Sequence, residues 1–268
     1  MENHQLLMEN RKLKLTNLQT ENMEVQKHPH HVLHKKKWPE YLLEFFMLFL
    51  AVYLGFIAEN IREHSVEKNR EKEYIESMIS DMKSDINQID SLNNLRLQKR
   101  EMIDSILFIL DTPQPDQYGN QLYYYARRLP RPIRIISNDG TMQQMKNAGN
   151  LRLIRSNKSL DAILKYDQLV RYNSIVEERE EILIQQTFPS LKKIFNTRIF
   201  EKMVNGMQIS RPEGNPKLSH SDNESLDEFY SHVHFLKNVD TYNLEFSIKR
   251  LNMAKHVLEV LQNEYNLQ

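Results

Sequence analysis

The chain has 268 residues, no Cys, 36 Lys and Arg against 36 Asp and Glu, and a formal net charge of +0. The lack of Cys excludes disulfides and thiolate metal sites, and the neutral balance excludes a global field that would draw the protein to nucleic acid or anionic lipid. Only six Gly and nine Pro interrupt long runs rich in Leu, Ile, Met, Glu, Lys and Gln, a composition that predicts an all-α protein.

Residues 1–37 carry no sustained amphipathic pattern and end in "HPHHVLHKKK". They are expected to form a polar, disordered extension. His28, His30, His31 and His34 are the one metal-like cluster. Pro29 disfavours a helix there, and no carboxylate lies at a typical ligand spacing, so the cluster reads as solvated tail and no metal is assigned.

Next comes "EYLLEFFMLFLAVYLGFIAENIREH". Positions 41–58 give about 18 residues, or roughly 27 Å of helix, close to the ~30 Å hydrocarbon core of a bilayer. Trp38 and Tyr41 stand at one end, where interfacial rings belong. The large apolar side chains together favour insertion by about 5 kcal/mol, whereas a mid-bilayer carboxylate costs only ~3 kcal/mol. Glu44 lies about a turn inside the interface, so insertion wins and residues 38–60 are assigned as a transmembrane helix. A buried core helix would need apolar partners on every side, and a cleaved signal peptide would have a shorter apolar run with a small-residue cleavage site.

At 100° per residue, Glu44, Ala51, Gly55, Ala58 and Arg62 share one line down this helix. Ala51 and Gly55 form a small-xxx-small pair that lets a second helix approach, which predicts a homo-oligomer through the span. The competing reading makes these ordinary span residues, with Glu44 reaching the headgroups. Basic residues tie at four on each flank, and Arg11, Lys12 and Lys14 tip the N-terminus inward.

"HKKKWPEYLLEFFMLFLAVYLGFIAENIREH", followed by "REKEYIESMISDM", resembles the N-terminal signature of an uncharacterised family of bacterial single-pass membrane proteins common in the Bacteroidota. "TMQQMKNAGNLRLIRSNKSLDAILKYDQL" is similar to that family's middle segment. The resemblance implies a protein of the cell envelope; with the span in the inner membrane, the basic residues of the tail put the C-terminal domain in the periplasm. The resemblance carries over no catalytic residue.

After the span no Pro occurs until Pro113 and no Gly until Gly119. Apolar residues at helical period from Ile75 to Leu110 predict that the anchor continues into the first helix of a bundle, with a break at 93–94 or within 62–73 left open. "DTPQPDQYGN" should stop it. A short helix over 121–129, an extended "PRPIRIISND" and a helix from Asp139 to Ala148 follow, with Gly149 as the left-handed stop. Asn157 or Ser159 opens a long helix whose core face is read as Leu160, Ile163, Leu164, Leu169, Ile175, Val176, Ile182 and Leu183. Pro189 is expected to kink or divide it. Residues 205–225 are read as a mobile loop, Asp240 as the cap of a last helix, and no strand is found.

The six Gly are too scattered for a P-loop or a dinucleotide fingerprint, so no cofactor is expected. "YYYARRLPRPIRI" sets Arg127, Arg128, Arg131 and Arg134 beside Tyr124 and its neighbours. Arg with aromatic rings can hold a ligand or partner, but in a neutral chain a structural corner paired with acidic helices is the simpler reading, and no nucleic acid is expected. "VEEREE", residues 176–181, is the natural pairing run and reads as a solvated helix face. Residues 61–268 are therefore expected to form a helical domain on a membrane anchor, acting as a non-enzymatic sensory, scaffold or interaction module with an unknown envelope partner. The alternative is an enzyme or transport-linked subunit with a site in the bundle.

Overall fold

The computed structural model describes residues 37–267. The polar tail expected over 1–37, with its His cluster, lies outside these residues but for Lys37. Two compact units divide at Ile61 and Arg62. One helix, α1 (Trp38–Leu110), contributes to both, and no break interrupts it at 62–73 or 93–94.

In the first unit α1 exposes its apolar side chains. Phe45, Phe49 and Tyr53 stack along it at ring separations of 6.3 and 6.1 Å. The helix is long and apolar enough to cross a membrane, and its most apolar window has no buried residue.

The second unit contains a three-helix bundle. After α1 come a 3-10 turn (Pro115–Tyr118), α2 (Gly119–Arg128) and α3 (Gly140–Asn147). A second 3-10 turn (Asn150–Leu153), α4 (Asn157–Ile194), α5 (Thr197–Lys202), a two-strand hairpin of β1 (Val204–Asn205) and β2 (Gln208–Ile209), and α6 (Asn223–Tyr265) complete it. Contacts between Lys158 and Glu264, Tyr172 and Phe246, and Ser190 and His232 show that α4 and α6 run antiparallel. Ion pairs of Arg96 with Glu180 and of Asp104 with Lys237 set α1 parallel to α4 and antiparallel to α6.

The caps follow local chemistry. Ser156 accepts from the Ser159 amide at 3.2 Å and starts α4. Asp222 accepts from the Ser225 amide at 2.9 Å and starts α6, so Asp222, and not the expected Asp240, is that helix's cap. Asp240 lies about two-fifths of the way along α6, fully buried. Asp139 stands at the start of α3 without a capping bond to its backbone, while Gly149 at φ 66° supplies the left-handed turn as expected. Helix α4 runs through Pro189, so of the expected kink or division the division does not occur. The Thr187 and Ser190 hydroxyls bond the carbonyls of Ile184 and Thr187, and buried Leu191 and Ile194 hold the last turn in the core.

Segment 205–225, read from sequence as a mobile loop without strands, contains most of the hairpin and then lies along α2. The Asn120 amide group donates to the carbonyls of Pro212 and Gly214 at 2.8 Å each, and the Ser219 amide donates to the Ile194 carbonyl at 2.7 Å.

The core has three apolar clusters, two of them large. One gathers Ile103, Ile106, Leu122, Tyr123, Phe195, Phe229 and Leu236, among others. The second gathers Ile75, Met78, Met82, Ile163, Val257 and Leu261. Fully burying one such side chain contributes about 1.5–3 kcal/mol. Between the two large clusters the facing helices turn polar around a small third one of Ile89, Ile135 and Leu251.

Candidate functional site

Arg96 and Lys99 lie one turn apart on α1, Asn173, Glu177 and Glu180 follow at helical spacing on α4, and Asp240, Asn243, Ser247 and Arg250 do so on α6. All nine are buried. Glu180 is the hub: it accepts from Arg96 at 3.1 Å, Lys99 at 2.6 Å and the Asn243 amide at 2.6 Å. Glu177 accepts from Asn173 at 2.8 Å and from the Ile135 backbone amide at 3.3 Å, with Arg96 at 3.6 Å. Arg96 also donates to the Ile133 carbonyl, and Lys99 to the Arg131 carbonyl at 3.2 Å. The Pro-rich segment between α2 and α3 thus supplies backbone acceptors to buried cations. Its prolines keep it extended, leaving these carbonyls free of a helical ladder.

A second cluster adjoins the first. Asp85 of α1 is fully buried and accepts from the backbone and side-chain amides of Asn138 at 2.8 Å each, from Arg250 at 3.2 Å and from the Tyr166 hydroxyl. Arg250 also donates to Ser137 at 2.8 Å and to Tyr166 at 3.3 Å. Burial is the main cause that pushes the Tyr166 hydroxyl far above its ordinary range.

The layer contains four carboxylates, Asp85, Glu177, Glu180 and Asp240, against three cations, Arg96, Lys99 and Arg250. An unbalanced buried charge is costly, so one carboxyl favours its neutral form. Asp240 has the weakest set of partners. Its oxygens make no hydrogen bond among the described residues, and its nearest cation is Arg96 at 3.7 Å. Burial pushes its carboxyl up to about 6, against the pull of Lys99 and with Glu180 adding to the push. Burial also raises Glu177, opposed first by Arg96.

Beside Asp85 a cleft of about 70 Å³ opens to the surface. Met78, Met82, Met142, Ile163, Val170 and Val257 supply apolar wall, with Asp85 and Tyr166 at its floor. At its rim Lys146 donates to Asp167 at 2.6 Å, and Arg171 pairs with the same carboxylate. Burial lowers the Lys146 ammonium from its usual value; Arg171 adds to this and Asp139 opposes it.

The residues singled out in the sequence fall in different places. Glu44, Ala51, Gly55, Ala58 and Arg62 occupy exposed positions of α1, and a Cβ at Gly55 would meet nothing within 4 Å. The Arg-Tyr corner is split. Arg128 and Arg211 flank the Tyr124 ring at 5.1 and 4.8 Å, Arg131 donates to the Met207 carbonyl at 3.4 Å, Arg134 pairs with Glu181, and Arg127 lines a separate cleft with Phe188 and Phe200. The "VEEREE" run is not the solvated face expected of it, because Glu177 and Glu180 turn inward. Their spacing of three was the available signal, since i and i+3 share a face. No protein-family model, curated protein or solved structure matches the chain.

Proposed function

We propose that this chain is a single-pass, membrane-anchored helical module of the bacterial cell envelope, with a sensory, scaffold or interaction role in place of catalysis. Its bundle lies on the periplasmic side of the inner membrane, and its spans associate along Glu44, Ala51, Gly55, Ala58 and Arg62. The observation that carries this reading is α1 itself. One helix bears an exposed apolar segment of spanning length and, further on, Asp85, Arg96 and Lys99 of the buried polar layer. In that layer the three cations are engaged by protein carboxylates and carbonyls, which suits a conformational layer better than a site that turns over a substrate. The likeness of the span and its flanks to a family of bacterial single-pass proteins points the same way.

The Cys-free chain allows a direct test by labelling of Thr20→Cys and Met207→Cys in intact cells with a reagent that does not cross the inner membrane. Met207 is 92% exposed, so its replacement disturbs no core. Labelling at 207 alone is expected. Labelling at 20 alone reverses the orientation, and labelling at both positions only after lysis removes the membrane-spanning reading. Gly55→Ile is expected to reduce in-membrane crosslinking between copies, and unchanged crosslinking rejects the stripe as their contact.

A further inference from the structure

Beyond an anchoring and interaction role, the cleft beside Asp85 has a chemistry of its own. Hydrogen-bond capacity decides which ligand fits. Both oxygens of Asp85 are occupied, one by Asn138 and the other by Tyr166 and Arg250. At the rim, one oxygen of Asp167 takes Lys146 and the other takes Arg171. Asp139 accepts from Gln143 at 3.1 Å. An ammonium carries three donors and a guanidinium five, and Asp167 takes one from each through a different oxygen, so Lys146 and Arg171 keep further donors at the rim. A ligand carboxylate that reaches both cations can take these donors together. The guanidinium fork matches a planar carboxylate in particular.

Size and walls fix the remainder of the ligand. At about 70 Å³ the cleft has about half the volume of the ~150 Å³ apolar cavity that takes benzene, room for about three carbon atoms. Met82, Met142, Val170 and Val257 present an apolar surface to them. Methionine adapts its shape to a small guest at little cost.

We propose that this cleft binds a small monocarboxylate, its carboxylate held between Lys146 and Arg171 and its short aliphatic body against Met82, Met142 and Val170. The ligand lies beside the Asp85, Tyr166 and Arg250 cluster, so its occupancy bears on the segment at Ser137 and Asn138 that this cluster holds.

The test is calorimetric titration of the full chain in nanodiscs with butyrate, butylamine, 1-butanol and inorganic phosphate as probes. Butyrate is expected to bind at least tenfold more tightly than the other three. Arg171→Gln and Lys146→Gln are each expected to weaken butyrate tenfold or more, and Val170→Phe, which fills the cleft, to abolish it while the thermal melt stays cooperative. Because Arg171 is well exposed, its variant keeps the fold and serves as the decisive one if Val170→Phe melts early. Absence of butyrate binding, butyrate binding no tighter than butylamine or butanol, phosphate binding as tight as butyrate, or butyrate binding unchanged in Arg171→Gln each overturns the proposal.

Discussion

Asp240 is the residue at which the buried layer departs furthest from charge balance. Its carboxyl is pushed up to about 6 in the folded protein from an ordinary 3.8. In the window between these values the folded chain binds a proton that the unfolded chain has released. Stability from this group is therefore greatest on the acid side of the window and is lost as pH rises through about 6, by about 3 kcal/mol in all. Glu177 titrates in the same sense, because burial raises it too. Asn in place of Asp240 imitates the protonated carboxyl at every pH. The Asp240→Asn variant should thus be more stable than the parent at pH 7.5 by about 1–3 kcal/mol, with the gap roughly halved at pH 5 and closing below about pH 4. Urea unfolding of both proteins across that range measures it. A variant destabilised equally at both pH values would show that Arg96 relies on a charged Asp240.

At the scale of elements, Gly119 opens α2 where the chain from 211 to 220 comes closest. A Cβ there would collide with the Pro216 carbonyl oxygen, which belongs to backbone and cannot swing aside. Gly119→Ala should cost about 1–3 kcal/mol by overpacking and should loosen the bonds from Asn120 to Pro212 and Gly214. Faster amide exchange over 211–220, with the bundle core unchanged, is the expected sign; uniform protection would mean that the segment is held elsewhere. Apolar periodicity made the helices themselves legible, including the uninterrupted α1 from a stretch without Pro or Gly. What it could not show was which polar residues turn inward. Leu164, Ile175 and Ile182 fit a helical stripe yet are exposed, whereas Glu177 and Glu180 are buried because Arg96 and Lys99, some 80 positions away, neutralise them. Asp222 and Asp240 are equally plausible caps by residue type, and tertiary burial alone separates them. The two-residue strands of the hairpin are too short to show an alternation, and the cleft depends on five segments that sequence spacing does not bring together.

For the whole molecule, the decisive contrast lies between what the two units bury. The first buried side chain of α1 is Glu71, and the core residues of all three apolar clusters and the polar layer come from positions beyond it. Among the described residues the buried core therefore lies within the second unit. Conversely, the large apolar side chains over 41–56 are about half exposed or more, and water is an unfavourable surrounding for so many of them. Their insertion is favoured by about 5 kcal/mol against less than ~3 for Glu44. The full chain should accordingly remain in the membrane pellet after alkaline carbonate extraction. A fragment beginning at Arg62 should remain in the supernatant, helical by far-UV circular dichroism and cooperative on melting. A fragment that aggregates or melts without a transition would mean that residues before 62 take part in the fold. A full chain released by carbonate would mean that the apolar stretch is covered by protein, and the span reading would give way to a partner-bound helix.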